Sequence, residues 1–295
     1  MVTIIDAHQH AFWHGRDDKG LVADLDEHGI SQAWLLTWEI PVREDRAKYH
    51  SVLNSCRVRA DGTHQGIVLS DMVAARNRFP DRFILGYCPD PLATDPAGLF
   101  ESAYRMHGVR ICGEWKFRVQ VDDPRCLNLF RKAGQLKCPV VIHLDVPFSR
   151  NEAGQMEYQP EWYGGTVENL ERALQTCPDT TFLGHAPGFW REINGRADFD
   201  TELYPTTPIA PGGKIYRLFD TYSNLYGDMS ATSALNALTR DPAHAKTFLV
   251  RFADKLLFAR DTFGQQLHAF LQGLSLPASV QEKIYFRNAQ RLIHI

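Results

Sequence analysis

The sequence predicts a single-domain α/β protein, a (β/α)8 TIM barrel with long loops on the C-terminal face of its strands. Three observations predict it. Short apolar runs alternate with helical stretches from one end of the chain to the other. Most of those runs are apolar throughout rather than alternating, as suits parallel strands covered on both faces. Eight strand–helix units in 295 residues average about 37 residues each, close to the repeat of a barrel with long loops. A doubly wound open sheet is the structural alternative, but no strand is followed by a Gly-x-Gly-x-x-Gly turn or a phosphate loop. The whole chain, 1–295, reads as one domain.

Taken in order, the strands are expected at 3–8, 32–37, 83–88, 109–117, 139–144, 181–185, 224–229 and 255–259. Runs such as Val140-Val141-Ile142 and Leu256-Leu257-Phe258 justify them. Helices are expected at 20–29, 69–79, 98–107, 124–136, 166–176, 233–239 and 242–252, with 278–293 as a closing helix. The turn Pro80-Asp81-Arg82 leads from the second helix into the third strand. Three connections exceed the usual few residues: 38–66, 146–165 and 186–213. Each leaves the C-terminal end of a strand, which in a barrel is the active-site rim.

Composition narrows the function. The chain is 44% hydrophobic and 23% charged, ordinary for a globular protein. A net charge of −3 argues against a nucleic-acid partner or an anionic membrane surface. The sequence opens on a strand-like run with no basic stretch and apolar signal core, so no signal segment is expected, and no apolar run approaches the ~20 residues that span a bilayer. The six cysteines are dispersed with no Cys-x-x-Cys pair. They read as free thiols and predict a reducing, cytoplasmic setting. A homo-oligomer is left open.

The chemistry collects at strand ends. Phe182-Leu183-Gly184-His185 is an apolar run ending in one imidazole. The same design recurs in Ile5-Asp6-Ala7-His8-Gln9-His10, in Val141-Ile142-His143, and with a carboxylate in Ala259-Arg260-Asp261. Residues i and i+2 of a strand share a face, so His8 and His10 project together and form a ready chelate for a divalent metal. Taken alone, a His-x-His is as readily a loop histidine beside a core histidine, and an isolated Asp261 is as readily a helix N-cap. Of the 12 histidines, however, four lie at strand ends. His14, Trp13 and Trp190 stand close enough to the rim to touch a substrate, and the aromatics Trp38, Trp115, Phe148 and Trp162 lie near rims as well. By period two, Cys112, Glu114 and Lys116 share one face of the fourth strand. Lys116, Arg43, Arg118 and Arg191 are candidate anchors for an anionic group.

In order and strand assignment these residues resemble the metal-dependent amidohydrolase superfamily. The segments 5–10, 183–190, 225–230 and 287–292 resemble its amidohydrolase-2 branch, which contains lactonases and aminocarboxymuconate-semialdehyde-decarboxylase-like enzymes. The resemblance implies one divalent metal held by His8, His10, His143 and Asp261, with Glu114 as an extra ligand. Zinc is favoured, manganese or iron are alternatives, and a second metal is left open. It leaves His185 as the catalytic imidazole, Asp261 as the proton acceptor, and Lys116 as a substrate anchor. Where the branch carries a small Gly-Thr/Ser-Asp turn at strand eight, this chain has Ala259-Arg260-Asp261, so Arg260 is expected to point away from the metal. The expected activity is hydrolysis of a small cyclic or carbonyl compound (lactone, amide or ester) by metal-activated water. The alternative is non-oxidative decarboxylation of an aromatic or unsaturated carboxylate. A barrel that only binds a metal or ligand is the third reading.

Overall fold

All eight expected strands form, each within a few residues of its predicted run. The computed structural model describes residues 3–151, 153–196 and 203–293; His294 lies outside them. The strands are β1 (Ile5–Gln9), β2 (Gln32–Leu35), β3 (Phe83–Leu85), β4 (Cys112–Trp115), β5 (Val140–His143), β6 (Phe182–His185), β7 (Leu225–Asp228) and β8 (Leu256–Leu257). Neighbours in sequence are neighbours in space, and every paired barrel strand is parallel. A parallel bridge from Gly86 to Ile111 joins β3 to β4. The barrel closes where Ala7 N donates to Phe258 O at 2.9 Å and Asp261 N donates to His8 O at 2.9 Å.

Helices α1 (Asp18–Glu27), α2 (Leu69–Arg78), α3 (Pro96–His107), α4 (Pro124–Gln135) and α5 (Val167–Thr176) follow the first five strands. The Asp-Pro pairs at 95–96 and 123–124 explain two sharp starts. The aspartate side chain accepts from a first-turn N–H, and the proline fills a position whose own N–H would have no partner. The long connection after β6 holds the short α6 (Pro187–Trp190), and then α7 (Lys214–Thr221) follows. Helices α8 (Ala231–Thr239) and α9 (Pro242–Arg251) precede β8, and α10 (Gln266–Gly273) follows it. The closing segment runs as α11 (Ala278–Glu282), a π turn (Lys283–Arg287) and α12 (Asn288–Leu292).

Two apolar layers result. Ile5, Ala7, Trp34, Leu36, Ile111, Val141, Leu183, Leu257 and Ala259 fill the barrel interior, and Ala289, Leu292 and Ile293 close it from below. Asn288 clamps this plug by donating to Ala253 O at 2.7 Å and Leu256 O at 2.8 Å. The larger core lies between strands and helices. The 38–66 connection is not plain loop, since Trp38–Glu39 pairs antiparallel with Gly66–Ile67. The 146–165 connection holds a hairpin of Phe148–Arg150 and Met156–Tyr158. All six cysteines are free, with Cys56 alone exposed. No described helix is long and apolar enough to cross a membrane.

Candidate active site

The site begins with β1. Its pairing with β2 is irregular between Asp6 and Gln9, so the inward positions pass from Ile5 and Ala7 to His8 and His10. His8 Nδ1 donates to Asp228 Oδ2 at 2.6 Å, and His10 Nδ1 donates to Leu36 O at 2.9 Å. Both rings therefore turn Nε2 to a common point, 3.3 Å apart. Asp261 Oδ1 lies 3.3 Å from His10 Nε2 and 3.7 Å from His8 Nε2. Glu114 Oε2 lies 3.7 Å from His10 Nε2.

This donor set fits a divalent metal. Two overlapping groups, His8–His10–Asp261 and His8–Glu114–His185, each bring three ligand atoms within 4.8 Å of one another. An acceptor behind each chelating imidazole fixes its tautomer and orientation, as metal-binding histidines require.

His185 sits at the end of β6 with its ring fully buried. Its Nδ1 is hydrogen-bonded with Ser230 Oγ at 2.8 Å, and its Nε2 has no partner. That nitrogen lies 3.6 Å from Glu114 Oε1 and 3.8 Å from Asp261 Oδ2. Local packing explains the placement. The Phe189 ring covers Gly184, where a Cβ would lie 2.3 Å from its Cε2. Trp190 packs over Gly227 and donates Nε1–H to Asp228 O at 2.8 Å. The 183–190 motif thus locks β6 to β7 and sets His185 beside Asp228.

The charges follow from burial and neighbours. Burial alone would depress His8, but the Asp228 and Asp261 carboxylates outweigh it and raise its pKa to about 10. His185 goes the other way: burial, reinforced by the nearby His8 and His143, lowers it to about 4 despite Asp228. Burial would raise Asp261, but the His8 and His10 rings hold it below the usual carboxylate range. Burial is likewise outweighed at Glu114, where Lys116 and His143 hold the carboxyl well below its ordinary value. Lys116 is raised because Glu114 outweighs burial.

Several expected positions differ. His143 reaches the cluster through Glu114 rather than directly. Its Nδ1 donates to Glu114 Oε1 at 2.6 Å and its Nε2 to Asp145 Oδ2 at 3.0 Å. Both ring nitrogens are engaged, and His143 belongs to neither donor group. Trp190, expected at the rim, is fully buried behind the site. Cys112, expected to share a face with Glu114 and Lys116, packs in the outer core beside Cys88. The reason is a register shift in β4 between Cys112 and Trp115. Trp115 turns outward onto Phe130. Trp13 stands edge-on to His10 and Trp38, and His14 is exposed beyond it. Arg260 points away from the mouth, as expected, with its Nε donating to Asp6 Oδ2 at 2.6 Å.

A cavity of about 220 Å³ opens over the cluster, lined by Lys116, His143, Asp145, Tyr163, His185, Tyr204 and Asp261 among others. Of the four candidate cations, Lys116 lines it, held 4.1 Å above the Trp38 ring. Arg43 is paired with Asp90 instead. Sequence reasoning missed Asp228, Ser230, Asp145 and the tyrosines at 49, 163 and 204. Asp228 carried a usable signal, a carboxylate at the end of an apolar run like that before Asp261. The tyrosines come from loops whose course no periodicity reveals.

No protein-family model and no curated protein matches the chain. Solved structures match it along nearly its whole length. An uncharacterized TIM-barrel protein, Bb4693 of Bordetella bronchiseptica, is 18% identical with a TM-score of 0.64 over 99% of this chain and 98% of that one. A dihydroxybenzoic acid decarboxylase from Polaromonas sp. JS666, with bound manganese and the inhibitor 2-nitroresorcinol, is 15% identical with a TM-score of 0.60 over 99% and 97%. A putative 2-pyrone-4,6-dicarboxylic acid hydrolase from Pseudomonas putida is 13% identical with a TM-score of 0.59 over 99% and 97%. These likenesses establish the fold: the chain is a single TIM barrel. At its mouth it carries a buried cluster of histidines and carboxylates.

Proposed function

We propose that the chain is a metal-dependent hydrolase of the amidohydrolase superfamily, in its amidohydrolase-2 branch, acting on a small lactone, amide or ester. The observation that carries this reading is the convergence of His8 Nε2, His10 Nε2 and Asp261 Oδ1 beneath the unpartnered, buried Nε2 of His185. His8, His10 and Asp261 would hold one divalent metal, with Glu114 as the next ligand and His143 anchoring Glu114. Zinc suits the nitrogen–oxygen donor set, and manganese is the second choice because a barrel of the same fold carries it. When bound, such a metal supplies Lewis acidity to the substrate carbonyl and lowers the pKa of water.

The chain's own groups do the rest. Asp261, ionised at neutral pH, accepts the proton of the attacking water and returns it to the leaving group. With the Ser230 hydroxyl donating to Nδ1, His185 presents an Nε2–H that donates to the developing oxyanion. Lys116 takes a negatively charged substituent of the substrate. The free thiols, five of them buried, support a cytoplasmic setting.

A second reading, decarboxylation of an aromatic or unsaturated carboxylate, is favoured by one observation. Lys116 lies between the Trp38 ring at 4.1 Å and the Tyr163 ring at 5.5 Å, a cation under aromatic cover that would hold a departing carboxylate away from water. A panel of lactones and aromatic carboxylates separates the two, following acid release against CO2. The expected result is metal-dependent acid release that is lost in Asp261→Asn. CO2 evolution without hydrolysis of any lactone or ester would reverse the order of the readings.

A further inference from the structure

Among the described residues, His64 is the one buried histidine that the proposed activity leaves without a task. We propose that it is an acid-sensitive clasp: while neutral it holds the 38–66 connection closed beside the barrel mouth, and its protonation releases that segment. Any effect on catalysis rests on the activity proposed above, whereas the release itself does not.

The polarity of its contacts sets the charge it can carry. Gly66 N donates to Nδ1 at 2.8 Å, and Nε2 faces Asn54 O at 2.9 Å. A backbone N–H only donates and a carbonyl only accepts. The ring is therefore the neutral tautomer with its proton on Nε2. A second proton would stand on Nδ1 against the Gly66 N–H, setting donor against donor where an acceptor is required. The side chain is fully buried, so water cannot take over the contact. Burial holds its pKa below the ordinary imidazole value.

The charges around it do not rescue the cation. The His50 ring lies 5.5 Å away, and Arg59 Nη1 donates to His64 O at 2.6 Å. Positive charge on either opposes a further proton. The Asn54 carbonyl and Asp45 favour one, but both Asp45 oxygens are turned to His50 Nε2 at 3.0 Å. Asp71, from α2, accepts from Arg57 Nε at 2.9 Å. Glu39, paired across the ribbon with Gly66, accepts from Leu69 N at 3.0 Å.

The clasp secures a wall of the mouth. It ties residue 54 to residue 66, and the residues just before it reach the site. Tyr49 lines the mouth cavity. Val52 O accepts from His14 N at 2.9 Å, and Leu53 bridges to Trp13. At the other end, the ribbon begins at Trp38, whose ring lies under Lys116.

The direction of the pH effect follows. The closed segment keeps His64 neutral, whereas the released segment lets it protonate near the ordinary value of 6.5. The ratio of closed to open segment should be constant above that pH. Below it the ratio should fall roughly tenfold per unit until the ring protonates in place.

Hydrogen exchange of the intact, metal-loaded protein reads the segment without a substrate. Protection of residues 54–66, corrected for intrinsic exchange, should fall roughly tenfold per unit below that pH, while the barrel strands keep theirs. His64→Asn retains an acceptor for the Gly66 N–H but takes up no proton, so its protection should be lower and flat in pH. His50→Gln should leave the wild-type slope in place. Ring nitrogen shifts should report the Nε2–H tautomer at neutral pH. Protection of the segment that stays constant in acid, a slope retained in His64→Asn, a slope lost in His50→Gln, or a ring already charged at neutral pH would each overturn the proposal. Failure of every lactone and ester assay would count against the activity at the mouth and not against the clasp.

Discussion

Asp228 holds His8. The carboxylate accepts from Nδ1 at 2.6 Å with both side chains fully buried, and Trp190 fixes the Asp228 backbone from behind. The pair determines which nitrogen of His8 faces His10. Removing the acceptor charge in Asp228→Asn frees the ring to rotate and lowers its basicity. Metal affinity should fall about 10–100-fold, the usual effect of losing an acceptor behind a ligating histidine. Competition with a chromophoric chelator measures it, and an unchanged affinity would remove Asp228 from the account.

His185 and the chelating pair should separate experimentally. In His185→Gln the metal stays bound while kcat falls about 10²–10³-fold, the range for losing one oxyanion donor. Metal analysis and steady-state kinetics on the same preparation decide the matter. Loss of the metal would make His185 a ligand in place of its proposed role.

Lys116 should act on charged substrates alone. A hydrogen bond to a charged group contributes about 1.5–3 kcal/mol, so Lys116→Met should raise KM for an anionic lactone or ester about 10–100-fold. Its neutral counterpart should be nearly unaffected. Equal losses on both substrates would contradict the anchoring role.

Metal binding should release a proton. In the metal-free protein the His8 pKa stands raised to about 10, so at pH 8 its Nε2 carries a proton that the metal must displace. Affinity should therefore fall roughly tenfold for each unit of pH decrease below that value, as displacement of one proton requires. Calorimetry in buffers of different ionisation enthalpy reads the proton count. The same shift contributes stability to the metal-free protein that is complete below the ordinary imidazole range and is lost as pH rises through about 10.

Much of this architecture was legible in the sequence, because buried parallel strands must be apolar and a barrel repeats that demand eight times. The chelating residues were legible for the same reason: a histidine or carboxylate ending such a run stands out against it. What escaped depends on register and loop course. Cys112 was placed with Glu114 because strict alternation was assumed, and the shift in β4 breaks it. His143 lies at its expected strand end, with Asp145 at the readable i, i+2 spacing, yet its other partner Glu114 comes from a neighbouring strand whose register spacing does not encode. Trp190 looked like a rim aromatic, but Gly227 leaves space that draws it into the core. Helices α7 and α10, eight residues each, lie in stretches to which no element was assigned.

The most direct measurement is the metal content of purified protein beside that of the double variant His8→Ala with His10→Ala. The account predicts about one divalent ion per chain in the former and none in the latter, with the barrel still folded by circular dichroism. Full metal occupancy in the double variant would contradict it.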